Sequence, residues 1–389
     1  MTFIDTLIAY KWVIIFYAAV MLLVFSQRKK FDIQGIIALY RTKIGLGLMD
    51  SISKKHKKII KFFGYVSIVL GGIGFIGICY AIGKSAFDII IQKEGAVGAS
   101  LVLPGIPIAG TPLVFPLITG WITLFIIIVV HEFAHGVVAR AHNIKVLHSG
   151  IAFFGPILGA FVEPDEKGLV KKSDIQQHAV FSAGPAANIL LAAVAALVFF
   201  FVLPPAMDAI TLQQGVVINV IPGNASAQAG MADGAVITSI NNNPISNWYD
   251  LDKTMEGTGP NQTIVVVADG KEFYPITKAH PDDSQRGYLG ILLVQNKVVS
   301  KPGFDMFLPV VRWLGSLFFW LAFISINIGL INLFPIFITD GARMLKVFLE
   351  RLIKDKKMAF SVWKHVNIVA VFLILILLLL PLFKLITAI

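Results

Sequence analysis

The chain has 389 residues, of which 56% are hydrophobic and 14% charged, and its mean hydropathy is +0.78. These values predict a polytopic membrane protein and exclude an ordinary soluble domain. The formal net charge is +10, but the basic residues cluster in a few loops, which indicates membrane topology and argues against nucleic-acid binding. The single cysteine, Cys79, allows no intrachain disulfide, and any metal would need His and carboxylate ligands.

Six apolar windows are long enough to cross a bilayer as helices. A hydrocarbon core about 30 Å thick needs roughly 20 apolar residues in a helix. The windows lie near residues 8–26, 62–83, 117–140, 179–203, 306–333 and 364–387. The first is followed by Arg28, Lys29 and Lys30 and has no small-residue cleavage site, so we interpret it as a retained anchor.

Basic loops predict the orientation of these spans in the cell membrane. Loop 27–61 carries a dense set of cations, and the positive-inside rule places it in the cytoplasm. They are Arg28, Lys29, Lys30, Arg41, Lys43, Lys54, Lys55, Lys57, Lys58 and Lys61. The N-terminus is then outside, the basic loops around 145–172 and 343–357 are inside, and the insert at about 206–302 is outside. Three loops thus agree with one six-span arrangement.

Two apolar segments are broken by glycine and proline. Residues 95–116 contain Pro104, Pro107, Pro112 and Pro116, so we expect a re-entrant or surface-lying segment buried against protein. Residues 150–164, GIAFFGPILGAFVEP, predict a hairpin that dips into the membrane from the cytoplasmic side. A seventh, distorted span is the alternative for this second segment.

The third span contains titratable residues in an otherwise apolar run, FIIIVVHEFAHGVV at 125–138. His131 and His135 are four residues apart, so their imidazoles project from one helix face and suit two ligands of one zinc ion. Glu132, about 100° around the helix, can hold a metal-activated water without binding the metal. Zinc lowers the pKa of that water toward about 7, and the glutamate takes its proton. The alternative is a polar cluster that pairs internally to hold helices together.

A third ligand has to come from a distant segment, and Asp340 is the candidate. It lies in NLFPIFITDGARM, residues 332–344, at the end of an apolar window. Pro335 interrupts the helix there, and the unwound backbone can direct Asp340 toward the metal. In the predicted topology His131, His135 and Asp340 all lie near the cytoplasmic ends of their spans.

The insert after residue 206 has the pattern of a small β-rich domain. It predicts strands at 216–220 and 235–240, an amphipathic helix from Trp248 and a hairpin with a tight Asp269-Gly270 turn. The NASAQAGMADGAVITSINNNPI stretch resembles a PDZ domain, over roughly residues 213–280. That resemblance implies capture of extended peptides, with Gln214–Val217 as the candidate carboxylate loop. The alternative is a domain that only restricts access.

Four features together resemble the site-2 protease family of intramembrane zinc metalloproteases, in its prokaryotic, archaeal form. They are HEFAH in a span, FSAGPAAN at 181–188, the PDZ-like insert and Asn-x-x-Pro-x-x-x-x-Asp-Gly. The resemblance covers most of the chain from about residue 100. It implies that His131, His135 and Asp340 bind one zinc ion, that Glu132 is the general base, and that Asn332 stabilises the oxyanion. Thr339 departs from the leucine usual in the family.

The predicted fold is thus a polytopic α-helical membrane protein with about six transmembrane helices, re-entrant segments and an inserted β-rich PDZ-like domain. Its predicted regions are 1–94 (two spans and a basic loop), 95–205 (first catalytic core part), 206–302 (PDZ-like domain) and 303–389 (second core part). The expected function is hydrolysis of peptide bonds in membrane-spanning protein substrates, with the lipid bilayer as the other partner. A non-catalytic scaffold and a metal or ion carrier are the alternatives.

Three further side chains are weaker candidates. His148 could be an additional ligand, although an interfacial role is the simpler interpretation. Glu163 is the acidic residue that could replace Asp340 as third ligand, as in another class of membrane-anchored metalloprotease. Asn188 is expected to pack between spans, with Gly184 and Ala187 allowing close helix approach.

Overall fold

A computed structural model describes residues 10–34, 37–92, 98–100, 102–108, 111–154 and 157–387. The backbone forms two compact units. One combines Met1–Phe199 with Gly315–Ile389, and the other is Phe200–Leu314. The four regions expected from the sequence stay predictions.

Helices dominate the first unit and strands the second. In the described part of the chain the helices are α1 (Lys11–Ser26), α2 (Leu46–Lys55), α3 (Lys57–Ile90), α4 (Leu117–Ala141), α5 (Glu166–Val170), α6 (Asp174–Leu197), α7 (Leu203–Ile210), α8 (Ala225–Gln228), α9 (Trp248–Glu256), α10 (Phe307–Ile331), α11 (Asp340–Leu352) and α12 (Lys356–Thr387). The strands are β1 (Asp32–Gln34), β2 (Ile37–Thr42), β3 (Val146–Phe154), β4 (Ile157–Pro164), β5 (Thr211–Val220), β6 (Val236–Ile240), β7 (Asn243–Pro244), β8 (Val266–Ala268), β9 (Lys271–Phe273), β10 (Lys278–Ala279), β11 (Gly287–Tyr288) and β12 (Ile291–Ser300).

Five helical segments among the described residues are long and apolar enough to cross a membrane. They are Lys57–Ile90, Leu117–Ala141, Asp174–Ile210, Phe307–Ile331 and Lys356–Leu380. Each overlaps one of the six predicted windows. The remaining window, residues 8–26, contains α1, whose 16 residues are fewer than the roughly 20 that a span needs. Residues 1–9 lie outside the described part, so the count of six spans stays a prediction.

A four-stranded antiparallel sheet, in the order β1-β2-β3-β4, lies next to the α4 helix. Ser149 of β3 is opposite Thr42 of β2 on one side and Val162 of β4 on the other. Gly150 is required in this sheet because a Cβ there would collide with the carbonyl oxygen of Tyr40. Among the described residues β4 pairs only with β3, so its second edge has no strand partner.

A hairpin at 150–164 is confirmed, because β3 and β4 pair in antiparallel register from Val146 to Pro164, whereas its insertion into the membrane from the cytoplasmic side stays a prediction. The alternative of a seventh, distorted span is wrong, since these residues are extended strands. Strands β1 and β2 in the basic loop were not predicted. The proline-broken 95–116 segment contains no helix in its described residues and one isolated bridge, Pro107 to Val114, so its position in the membrane stays a prediction.

The second unit is built on a sheet with strand order β12-β5-β6-β8-β9, with β7 paired to β6. Alternate residues of β5 and β6 point into its core, where Val216, Ile218 and Ile237 are fully buried. The predicted hairpin is confirmed: Asp269 and Gly270 join β8 to β9, and both have the positive φ of a type I′ turn. Asn247 caps the predicted helix α9 through its side chain.

The predicted carboxylate loop, Gln214–Val217, is wrong. These residues lie inside β5, where Val217 is opposite Gln295 of β12 and Val236 of β6. Val216 is likewise paired on both sides, and the Gly215 N–H donates to the Ser246 carbonyl over 3.0 Å, so these backbone amides are committed within the domain and do not form a carboxylate loop. Gly215 has a φ of 109°, which glycine adopts readily, and this conformation is accommodated within the strand.

Candidate metal centre

Three side chains that could bind a metal ion converge inside the first unit. His131 and His135 of α4 are buried, and Asp340 at the start of α11 is 9% exposed. Asp340 Oδ2 lies 3.1 Å from His131 Nε2 and 3.2 Å from His135 Nε2. The two Nε2 atoms are 3.2 Å apart. Potential ligand atoms from segments more than 200 residues apart in sequence therefore meet at one point.

The chain brings Asp340 to this point because α10 ends at Ile331 and α11 begins at Asp340, after eight intervening residues. The intervening segment contains Pro335, and α11 begins at Asp340 with Thr339 as N-cap, whose hydroxyl accepts from Ala342 N–H. Gly341 N–H donates to the Asn332 carbonyl over 2.8 Å. A Cβ at Gly341 would collide with the Leu333 carbonyl, so only glycine allows this close turn.

Each histidine makes a second hydrogen bond that orients its ring. The His135 Nδ1 atom lies 2.6 Å from the Val180 carbonyl, which can only accept, so His135 carries a proton on Nδ1 and presents a free Nε2 lone pair. The His131 Nδ1 atom lies 3.1 Å from the Asn188 side-chain amide. Both Nε2 atoms consequently face the Asp340 carboxylate, which is the ring orientation that a shared metal requires.

The orientation of the Asn188 side-chain amide decides which of its two polar atoms contacts His131. As placed, Nδ2 faces His131 Nδ1, and the buried Oδ1 atom has no partner among the described residues. Rotating the amide by 180° exchanges the two atoms, so that Oδ1 accepts the His131 Nδ1–H. This orientation supplies a partner for Oδ1. Ser325 of α10 donates to the Asn188 carbonyl over 2.9 Å, which holds the backbone of α6 at this position.

Gly184 keeps the space between the two imidazoles open. A Cβ on Gly184 would collide with Nε2 of both His131 and His135. The helix α6 therefore approaches the histidine pair more closely than any residue with a side chain allows. Two imidazoles and one carboxylate fit zinc, and three protein ligands leave a fourth tetrahedral position for water or substrate.

Glu132 is a residue of α4, and its side chain reaches strand β4 of the four-stranded sheet. Its Oε2 atom accepts a hydrogen bond of 2.8 Å from the Val162 backbone N–H. Val162 thus directs its N–H away from β3 and toward α4, at the unpaired edge of β4. Glu132 is not part of the group of ligand atoms, which contains only His131, His135 and Asp340 among the described residues.

The remaining candidates lie elsewhere or have no assigned contact. Among the described residues the Asn332 side chain makes no hydrogen bond, so its oxyanion role stays a prediction. His148 Nδ1 is 3.0 Å from Glu163 Oε2, and the same oxygen is 3.3 Å from Arg41 Nε. Neither His148 nor Glu163 joins the metal-ligand group, so Glu163 does not replace Asp340.

Sequence reasoning missed the contacts of Asn188 and Gly184 with the histidines. Asn188 was expected only to pack helices, but its amide contacts His131. The available signal was a buried amide in an alanine-rich helix, where an unsatisfied polar group is costly. Which ring it would contact depended on the packing of α6 against α4, a long-range feature that the local pattern does not carry.

The described residues thus combine several helices that could cross a membrane with an HExxH motif whose histidines, together with a distant aspartate, could hold a metal ion. The sequence model of peptidase family M50 matches residues 119–377, which is most of the chain. The chain belongs to peptidase family M50, the site-2 protease family of zinc metalloproteases.

Two relatives illustrate the similarity. An uncharacterised protein of Methanocaldococcus jannaschii is 29% identical over 90% of this chain and 88% of its own length. The zinc metalloprotease RasP of Oceanobacillus iheyensis is 25% identical over 49% of this chain and 54% of its own length. The chain thus matches about half of this bacterial relative and nearly all of the archaeal one.

Proposed function

We propose that this protein hydrolyses peptide bonds of membrane-spanning proteins at a zinc ion held by His131, His135 and Asp340. The observation that carries the proposal is the convergence of three potential ligand atoms within 4.8 Å of one another, next to Glu132. Zinc bound there would supply Lewis-acid chemistry, which activates water and polarises the scissile carbonyl.

The side chains of this protein divide the remaining chemistry. Glu132 accepts the proton of the attacking water and passes it to the leaving amine, as a general base and then a general acid. The Val162 N–H holds the Glu132 carboxylate in one orientation. The Val180 carbonyl and the Asn188 amide keep the Nε2 atoms of the two imidazoles turned toward Asp340, where they would hold the zinc ion. Asn332 is the proposed donor to the developing oxyanion.

The free edge of β4 is the proposed binding site for the unwound substrate. A transmembrane helix has to be opened before cleavage, because its amides are hydrogen-bonded and shielded from water. An extended segment that adds to β4 would satisfy the exposed backbone groups of both chains. Because the Val162 N–H on this edge already donates to Glu132, the segment would pair with the part of β4 before Val162 and would run beside the general base. Phe161→Cys should cross-link to a substrate carrying a cysteine near its cleavage site, and an absence of cross-links would contradict the assignment.

The β-rich unit is proposed to recruit substrates or restrict their access. Among the described residues its edge strand β12 pairs only with β5, and Leu292 and Val294 on it are exposed. This edge could take an extended peptide in the manner of PDZ domains. We place this unit and the N-terminus outside the cell and the metal centre toward the cytoplasm, on the basis of the positive-inside rule. Accessibility of single cysteines at Lys253 and Lys354 to an impermeant thiol reagent tests the sidedness, with the first expected outside.

The variant Glu132→Gln tests the catalytic assignment. It keeps the size and hydrogen-bonding ability of the side chain but removes the basic carboxylate. We expect full zinc content and a loss of roughly 10²- to 10⁴-fold in cleavage of a membrane-embedded reporter. Undiminished cleavage would refute the protease mechanism, and loss of metal transport by the same variant would instead support a carrier.

A further inference from the structure

A cavity of about 280 Å³ lies at the end of α4 that follows the metal centre, between α2, the start of α3 and the turn after α4. Four cationic side chains line it, with one carboxylate from Asp50. The cations are Lys54, Lys57, Arg140 and Lys145, and we call this cavity the basic pocket. Its volume corresponds to roughly nine water molecules, which is ample for a hydrated phosphate group.

The cations of the basic pocket are largely unneutralised. Arg140 Nη1 forms an ion pair of 2.9 Å with Asp50 Oδ1, and Lys57 Nζ donates to the neutral amide of Asn143 over 3.1 Å. Lys54 and Lys145 form no hydrogen bond or ion pair with any residue that the structure describes. One carboxylate therefore faces four positive charges.

Arg140 in the basic pocket and His142 close to it also have nitrogen atoms without a described hydrogen-bond partner. Arg140 Nε is buried and has no hydrogen-bond partner among the described residues, although a buried donor without an acceptor is costly. His142, directly after α4, is 2% exposed, and neither of its ring nitrogens has a described partner. Burial, Lys61, Lys172 and Lys57 together lower the pKa of His142 from its usual value. Buried nitrogen atoms without a described partner are therefore concentrated at this end of α4.

The position of the basic pocket relative to the spans indicates where an anion would come from. The helix α3 begins at Lys57 and α4 ends at Ala141, so the pocket lies beside the ends of two helices that are long and apolar enough to cross a membrane. Ile59 and Phe62, in the first turns of α3, are exposed apolar side chains. The 34-residue α3 also begins without a side-chain cap, which leaves its positive dipole end available to an anion.

We propose that the basic pocket binds the phosphate group of an anionic glycerophospholipid. The phosphate offers charged acceptor oxygens to Lys54, Lys145 and Arg140, and charge-assisted bonds of this kind are the strong ones. Free inorganic phosphate has the same acceptor chemistry. The lipid adds acyl chains that lie on the exposed apolar surface of α3, so it binds more tightly than the free ion.

The test titrates short-chain phosphatidylglycerol, phosphatidylcholine of the same chain length and inorganic phosphate into the full-length protein in detergent, with thermophoresis as the readout. We expect saturable binding of phosphatidylglycerol at one site, at least about tenfold tighter than either competitor. Equal affinity for phosphatidylcholine would overturn the proposal. Equal affinity for inorganic phosphate would overturn the lipid assignment.

Matched charge variants separate the pocket from bulk electrostatics. The double variant Lys54→Gln with Lys145→Gln should weaken phosphatidylglycerol binding by roughly 10- to 30-fold. The control Lys29→Gln with Lys30→Gln removes the same charge from exposed residues outside the pocket and should leave the affinity unchanged. Equal weakening in both doubles, or none in the first, would overturn the proposal. Lys54→Arg with Lys145→Arg should retain binding and shows that folding is intact.

Discussion

The two sites on α4 differ in how their polar groups are satisfied. In the metal centre both imidazoles have a hydrogen-bond partner on Nδ1 from α6, and the Nε2 atoms face Asp340. Five residues after His135, Arg140 opens a pocket in which Lys54 and Lys145 have no partner among the described residues. In the metal centre the Nδ1 atom of each histidine already has a partner in the same chain, so the site is organised before any ion binds. An open, uncompensated pocket has to obtain its counter-charge from outside.

Removal of a metal ligand should have the largest effect, and it should change the metal centre without changing the basic pocket. Asp340→Ala leaves two imidazoles without the carboxylate that completes the set, so we expect zinc stoichiometry to fall severalfold and reporter cleavage to become undetectable. Elemental analysis of the purified protein measures the zinc. Lipid binding at the basic pocket should remain unchanged, and full zinc content in this variant would contradict the assigned ligand set.

Gly184→Ala should be nearly as severe, although it removes no ligand. The added methyl group would occupy the space between the two Nε2 atoms, so the histidines have to move apart and zinc is lost. Gly72→Ala is the matched control, because a Cβ at Gly72 on α3 meets no atom within 4 Å. If Gly184→Ala binds zinc as tightly as the control, the close approach of α6 does not shape the metal site.

Asn188 variants should give an intermediate effect and reveal what its side chain does. Asn188→Leu removes the acceptor for His131 Nδ1–H, and loss of such a contact typically weakens metal binding by about 10- to 100-fold. Asn188→Asp retains an acceptor at the same position and should restore most of the zinc affinity. Competition with a chelator measures both. A helix-packing role alone predicts the reverse order, because a buried carboxylate would be tolerated less well than leucine.

The smallest expected effect tests whether the metal centre and the basic pocket are independent of each other. Lys54→Gln with Lys145→Gln should leave zinc affinity in detergent unchanged within about twofold, since neither lysine contacts a metal ligand and exposed charges are screened over about 10 Å. The same chelator competition measures it. A large drop in zinc affinity would show that the metal centre and the basic pocket are energetically coupled.

Local periodicity predicted the parts of this protein that depend on neighbouring residues. The spacing of His131 and His135 placed both rings on one helix face, and the glycine and proline pattern at 150–164 gave the hairpin. Asp340 was found because two histidines leave a metal short of a ligand and because the motif resembles a known family. The unpredicted features named above depend on long-range packing: β2 pairs with β3, Asn188 contacts His131, and Arg140 and Lys54 line one cavity.

The most direct test of the central claim is zinc-edge X-ray absorption on the Glu132→Gln protein beside Glu132→Gln with Asp340→Ala. The account predicts one zinc ion with two imidazole nitrogens at about 2.0–2.1 Å and carboxylate oxygen at about 2.0–2.2 Å in the first protein. In the second, the carboxylate contribution should disappear along with most of the zinc. An unchanged zinc environment in both proteins would contradict coordination by Asp340.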